Sequence, residues 1–212
     1  MRYTLNVFLV FFLYSVLGYL LEVSVTTKDI KKINLSRGFL IGPYIPIYGT
    51  GAVIMSFLLT KYQNNLIFLF LMSTLICTIL EYFTSYLMEK IYKLRWWDYS
   101  KYKYNLNGRV CLKNSILFGI GGVLIIKLVN PLIKKIFLVT PNTILQVLSL
   151  IFLIIFIIDL VFSIVITFKI EINVNKYINK DATEKVKKEI AKILRKIFIP
   201  KPVTSYLDIW NL

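Results

Sequence analysis

The sequence predicts an all-α protein, a polytopic membrane helix bundle of about five transmembrane helices followed by a basic tail. Its 212 residues are 57% hydrophobic, with a mean hydropathy of +0.69. The apolar residues form long runs such as "LNVFLVFFLYSVLGYLL" and "TILQVLSLIFLIIFIIDLVFSIVITF". A membrane helix needs about 20 mainly apolar residues. These runs lack the alternating pattern of barrel strands, so they indicate helices.

Five segments are long and apolar enough to be spans. They are residues 4–25, 38–60, 66–89, 115–133 and 142–168. Residues 1–168 therefore form the predicted transmembrane bundle, and residues 169–212 form a separate basic tail.

The positive charges predict the orientation of the bundle. Of the 26 Lys and Arg residues, 21 lie in the turn 28–37, in the segment 90–114 or in the tail from residue 169. Positive loops stay in the cytoplasm. We therefore expect a multi-pass plasma-membrane protein with its N-terminus outside and its C-terminus in the cytoplasm. Topology also accounts for the net charge of +15, so the charge does not indicate a nucleic-acid partner.

The second span contains residues that interrupt helices. In "GFLIGPYIPIYGTGA", Pro43 and Pro46 lie among four glycines, and each proline removes a helical hydrogen bond. We expect a kinked or broken helix whose freed backbone, near Pro43 and Tyr44, contacts a ligand. The alternative is a simple kink, with the glycines serving close helix packing.

Ionisable residues are few within the spans. Glu22 and Glu89 lie near the cytoplasmic ends of their helices, whereas Glu81 and Asp159 lie about 12–15 Å deeper. A charge at that depth costs at least about 2.5 kcal/mol, so each acid is expected to face protein or water and to be a functional candidate. The shallow acids could instead be interfacial anchors, and Lys127 is expected to reach the outer interface.

A polar, aromatic segment, "RWWDYSKYKYNLNGRVCLKNS" at 95–115, separates the third and fourth spans. It predicts an ordered cytoplasmic loop that forms part of a site, with Trp96, Trp97, Asp98, Asn107 and Arg109 as candidate binding residues. Asn and Gly favour turns, and Asp can bond its own backbone or a neighbouring Arg. The alternative is an aromatic belt at the membrane interface.

Four charged residues are expected at one membrane level. Glu22 and Glu89 end the first and third spans, while Arg37 and Arg109 begin the second and fourth. The two guanidinium groups could bind a carboxylate or phosphate through their planar forks. Alternatively, the acids neutralise both arginines, and the cluster is structural.

The first two hairpins resemble each other, which suggests a parallel internal duplication. One register aligns "YLLEV" with "YLMEK", so that Glu22 corresponds to Glu89. A second register aligns Glu22 with Glu81.

Several chemistries are absent from the sequence. There is no His, and the two Cys, Cys77 and Cys111, are isolated, so we expect no disulfide, no metal site, no cofactor and no catalytic residue. No P-loop motif occurs either. ATP-driven activity would therefore need a separate ATPase subunit.

The tail has one periodic stretch, "DATEKVKKEIAKILRKIFIP" at 181–200. Its apolar residues recur at helical spacing opposite Lys and Arg, which predicts a C-terminal amphipathic helix. We expect it to lie on anionic lipid of the inner leaflet. A helix that docks a partner subunit is the alternative.

The strings "SVLGYLLEV", "SRGFLIGPYIPIYGTGA", "LEYFTSYLMEKIYKLRWWDYS" and "NLNGRVCLKNSILFGIGG" resemble the family described as "putative ABC-transporter type IV", the CmpB-like group of membrane proteins. The resemblance covers about residues 15–122, with Tyr19 and Ile45 where Trp and Cys would be expected. It implies a permease or membrane subunit of a transporter. Together with the site it suggests a small polar or anionic solute. The alternative is a non-transporting lipid-binding or assembly protein.

Overall fold

Helices make up most of the part of the chain that the structure describes. The computed structural model describes residues 2–26, 38–92 and 95–173. The helices are α1 (Arg2–Thr26), α2 (Pro46–Leu59), α3 (Leu66–Tyr92), α4 (Leu112–Leu124), α5 (Asn130–Val139) and α6 (Asn142–Asn173). A π-helical turn, Ile125–Val129, joins α4 to α5 without a break. The predicted all-α fold is therefore confirmed.

Four stretches are long and apolar enough to cross a membrane. They are Leu5–Val25, Leu66–Tyr92, Leu112–Val139 and Asn142–Phe168, and each contains or closely overlaps a predicted span. A fifth span was predicted at 38–60, but this region is not one helix. Its helical part, α2, has 14 residues and is about 21 Å long, which is less than the ~30 Å of the hydrocarbon core.

The start of α2 follows from its proline. Residues 38–45 are not helical, and Ile45 has an extended backbone, with φ −121° and ψ 104°. Pro46 then occupies the first turn of α2. This position suits proline, because the missing N–H would have no partner inside the helix.

Small residues let the helices approach closely in two pairs. In the pair α1 and α2, a side chain at Gly49 would overlap the Phe11 carbonyl oxygen and the Ser15 hydroxyl. In the pair α3 and α4, a side chain at Gly119 would overlap Thr74. Helix α6 packs mainly on α1. The polar groups described below therefore face protein across narrow interfaces.

Two predicted features lie outside the described residues. They are Arg37 in the basic turn 28–37 and the amphipathic helix at 181–200. The structural account below therefore concerns the bundle and the loop between α3 and α4.

Candidate functional site

The loop between α3 and α4 is closed by a tight hairpin. Strand β1 (Asn105–Leu106) pairs antiparallel with β2 (Val110–Cys111). Three residues, Asn107, Gly108 and Arg109, lie between them, and the first two have φ values of 54° and 68°. Asn-Gly favours this left-handed conformation in hairpin turns. The turn directs the polar side chains around it back toward α3.

Three charged residues form an arginine network at the C-terminal end of α3. Arg109 Nη2 lies 2.6 Å from Glu89 Oε2. Arg95 Nε donates to the other oxygen, Glu89 Oε1, at 2.9 Å. One carboxylate thus holds two guanidinium groups from the start and the end of the loop.

Aromatic and amide groups surround the Arg109 guanidinium. Its carbon lies 5.8 Å from the ring centre of Tyr82 and 5.4 Å from that of Tyr86. Asn107 Nδ2 donates to the Tyr82 hydroxyl at 2.9 Å, and Trp97 Nε1 donates to the Arg109 carbonyl at 2.9 Å. These contacts fix the loop on α3 and leave the Arg109 side chain only 12% exposed.

A second polar group, the carboxyl–phenol cluster, lies deeper in the bundle. It comprises Glu22 of α1, Tyr48 of α2, Glu81 of α3, Tyr99 of the loop and Asn114 of α4. The Tyr48 hydroxyl donates to Glu22 Oε2 at 2.8 Å, and the Tyr99 hydroxyl donates to Glu81 Oε1 at 3.0 Å. Asn114 Nδ2 donates to the Tyr99 hydroxyl at 2.7 Å. Four helices and the loop therefore each contribute one polar side chain.

Both acids of this cluster act electrostatically on the same phenol, that of Tyr99. Burial raises the pKa of Tyr99 above its ordinary value, and the Glu81 carboxylate, Glu22 and Tyr48 raise it further. Glu81 is 5% exposed. Its second oxygen, Oε2, is buried and has no hydrogen-bond partner among the residues that the structure describes. A buried carboxylate oxygen without a partner is costly, so it is the least satisfied group of the cluster.

Asp98 closes a turn at the outer face of the loop. Its Oδ1 accepts hydrogen bonds from the backbone N–H of Ser100, at 2.9 Å, and from the Ser100 hydroxyl. The pKa of Asp98 lies below its usual range. The hydrogen bonds from the Ser100 side chain and backbone stabilise the ionised carboxylate, and the positive charges of Arg95 and Lys101 add to this effect. Asp98 therefore orders the loop, and it is exposed rather than directed into the bundle.

The irregular segment before α2 is held by Asp159 of α6. The Asp159 carboxylate accepts hydrogen bonds from the backbone N–H groups of Ile41, at 3.0 Å, and Gly42, at 2.8 Å. It also accepts one from the Tyr44 hydroxyl at 2.5 Å. These bonds replace the helical bonds that the segment lacks. Pro43 is exposed, whereas Tyr44 is buried.

Trp96 belongs to an aromatic cluster at the same end of the bundle. It is 6% exposed, and its ring meets those of Phe39 and Tyr92 edge-on, both at 5.6 Å between centroids. Tyr92 also contacts Phe168 of α6. Trp96 thereby packs the loop onto α3 and the segment before α2, and Tyr92 of α3 in turn contacts α6.

The candidate residues from the sequence belong to different groups in the structure. Glu89 and Arg109 form one group, Glu22 and Glu81 belong to another, and Arg37 is not described. The sequence reasoning did not select Tyr48, Arg95, Tyr99 or Asn114. The string "NLNG" was the available signal for a hairpin that returns the loop to α3. The spacing of the residues in the sequence does not predict the contact between Tyr99 and Glu81.

The fold and the site define a multi-pass helical membrane protein with a polar interior beneath an ordered loop. The family model described as "Putative ABC-transporter type IV" matches residues 9–164. The chain belongs to this family, which confirms the resemblance in the sequence. It is accordingly a membrane protein of the ABC-transporter type. Comparisons with curated proteins and with solved structures give no match.

Proposed function

We propose that the protein is the membrane subunit of a transporter for a small polar solute and that this solute binds at the carboxyl–phenol cluster. The proposal depends chiefly on Glu81, a carboxyl group that is 5% exposed in the middle of a membrane-spanning helix. Its Oε2 has no partner in the described part of the chain. Intramembrane acids of this kind mark solute or ion paths in many transporters.

The arrangement around Glu81 supports binding rather than helix locking. The cluster draws on α1, α2, α4 and the loop as well as α3, so a ligand there would link four helices and the loop. Tyr48, Tyr99 and Asn114 supply hydroxyl and amide groups of fixed geometry. A few placed polar groups in an apolar surrounding are typical of small-molecule sites.

A separate ATPase subunit and a defined orientation are parts of the same proposal. The family description supports an ATP-driven system, and the sequence has no P-loop, so the ATPase is assigned to another chain. The charge distribution supports a plasma-membrane protein with its N-terminus outside and its C-terminus inside. The basic tail, with anionic lipid or the partner subunit as its ligand, would then lie on the cytoplasmic face.

A second candidate is a non-transporting lipid-binding or assembly protein. The arginine network favours it, because Glu89 engages Arg95 and Arg109 and locks the loop onto α3. On this view, the carboxyl–phenol cluster would be a further structural link.

A ligand screen on the purified protein separates the two candidates. A ligand that binds only the native state raises the melting temperature, by a few degrees at concentrations well above its Kd. We expect a small polar metabolite to stabilise the wild type, and we expect Glu81→Gln to lose this shift. Stabilisation by lipids alone, equal in both proteins, would support the non-transporting candidate instead.

A further inference from the structure

We infer that the carboxyl–phenol cluster binds a monovalent cation, either an alkali metal ion or a primary ammonium group, with Glu81 Oε2 as its central ligand. This deepens the proposed function, because it assigns a charge class to the ligand of the same site.

The site offers oxygen acceptors to a ligand. Tyr48 gives its hydroxyl proton to Glu22, and Tyr99 gives its own to Glu81. Both phenol oxygens therefore keep a lone-pair side, although that of Tyr99 already accepts one bond from Asn114. The Glu81 carboxylate contributes one oxygen that no described residue engages. Acceptor oxygens with lone pairs left open are suited to a cation or to an ammonium N–H.

An anion is disfavoured at this place. The fork of Arg109 is turned to Glu89 and to the faces of Tyr82 and Tyr86. Arg95 is likewise directed to Glu89 and to the Asn107 carbonyl. Both arginines are thus paired with Glu89, which lies about 12 Å from Glu81 along α3.

The ligand set favours a single positive charge over two. The described residues contain no group of three or more His, Cys, Asp or Glu that could hold a metal ion. Divalent ions such as Mg²⁺ lose their water reluctantly, and Ca²⁺ takes six to eight oxygen ligands, several of them usually carboxylates. Of the two carboxylates in the cluster, Glu22 accepts the Tyr48 hydroxyl, and Glu81 keeps one oxygen that is open among the described residues, which suits a monovalent ion.

The carboxyl–phenol cluster lies between two similar helix pairs, and this position supports a ligand site. In the pair α1 and α2, Gly49 packs tightly against Phe11 and Ser15. Ser15 lies seven residues before Glu22. In the pair α3 and α4, Gly119 packs tightly against Phe70 and Thr74. Thr74 lies seven residues before Glu81.

These contacts correspond in the register that aligns Glu22 with Glu81. Tyr48 and Phe118, which precede Gly49 and Gly119, touch each other with ring centroids 6.4 Å apart. Transporter sites commonly lie where two repeats meet.

The test uses salts as the probes. Full-length protein in detergent is heated in NaCl, KCl, NH₄Cl, methylammonium chloride or choline chloride at one ionic strength, without metabolites. We expect at least one small cation to raise the melting temperature by about 3–5 °C over choline, in a saturable manner. The metal salts and the ammonium salts distinguish the two sources of charge.

Variants assign the effect to Glu81. Glu81→Gln should abolish the cation-dependent shift, and Glu81→Asp should raise the half-saturating concentration at least about tenfold because it withdraws the carboxylate by one methylene. Asp159→Asn is the matched control: it neutralises another carboxyl group of the bundle and should keep the shift at a lower melting temperature.

Equal stability of the wild type in all five salts would overturn the inference, as would a shift that persists in Glu81→Gln or a larger response to Mg²⁺ or Ca²⁺. A metabolite screen in choline chloride keeps the two proposals apart. A neutral or anionic solute that requires Glu81 there would leave the proposed transport site standing while the cation assignment fails.

Discussion

The arginine network and the carboxyl–phenol cluster use acids on the same helix, about 12 Å apart along α3, yet they treat a carboxylate in opposite ways. Glu89 has a side chain that is 29% exposed and holds two guanidinium groups. Glu81 is 5% exposed and has a single phenol as its hydrogen-bond partner among the described residues. The better buried acid is therefore the less well compensated one.

This difference gives the two acids of one helix different expected roles. A carboxylate that stabilises a fold is expected to have opposite charges beside it, because desolvation otherwise exceeds the gain. Glu89 meets that condition, and its partners anchor both ends of the loop. Glu81 does not meet it, and this observation is the basis of the proposed ligand site.

Glu89→Gln should give the largest loss of stability. It leaves Arg95 and Arg109 without their carboxylate, and breaking an ion pair of this intermediate exposure costs about 2–3 kcal/mol. Unfolding in detergent, followed by tryptophan fluorescence, measures the loss. In the double-mutant cycle, Arg109→Gln should partly restore Glu89→Gln. Strictly additive losses would mean that the network does not hold the loop.

Gly108→Ala tests the loop without touching either acid. Gly108 has a φ of 68°, and a side chain there would collide with Ser100 and Asp98, so we expect a loss of about 1–2 kcal/mol. Gly121→Ala is the control, since nothing lies within 4 Å of its position. There alanine should be neutral or stabilise α4 by up to about 1 kcal/mol. Equal effects of the two substitutions would argue against a fixed hairpin.

Glu81→Gln should change the unfolding free energy by less than about 1 kcal/mol. The amide oxygen of Gln can still accept the Tyr99 hydroxyl, and no buried charge remains to be compensated. The same fluorescence assay, run beside Glu89→Gln, makes the comparison direct. If the two losses were equal, Glu81 would be a structural residue like Glu89.

The pH dependence of Asp98 is the smallest expected effect. Its pKa is lower in the folded protein than the ordinary value of about 3.9. Its contribution to stability is therefore present above that value and is lost as the pH falls through the folded pKa. The difference in melting temperature between wild type and Asp98→Asn should be constant above pH 5 and shrink below pH 4. A difference that does not change with pH would exclude ionised Asp98 as the cause.

Much of the helix content was predictable because long apolar runs leave few alternatives in a membrane. The region 38–60 was less so. Its prolines predicted an interruption, but only Asp159, far along the chain, accounts for how the backbone N–H groups of Ile41 and Gly42 are satisfied. A contact between residues more than 100 positions apart has no local pattern.

The sequence by itself determined the membrane character and the family, since hydropathy and motifs are local properties of the chain. Only the tertiary structure decided that Glu22 faces Tyr48 and that Tyr99 reaches Glu81. Those contacts depend on how closely α1, α2, α3 and α4 approach at their glycines, and on a loop that folds back into the bundle. Packing distances between helices are set by all of them together, so no single segment encodes them.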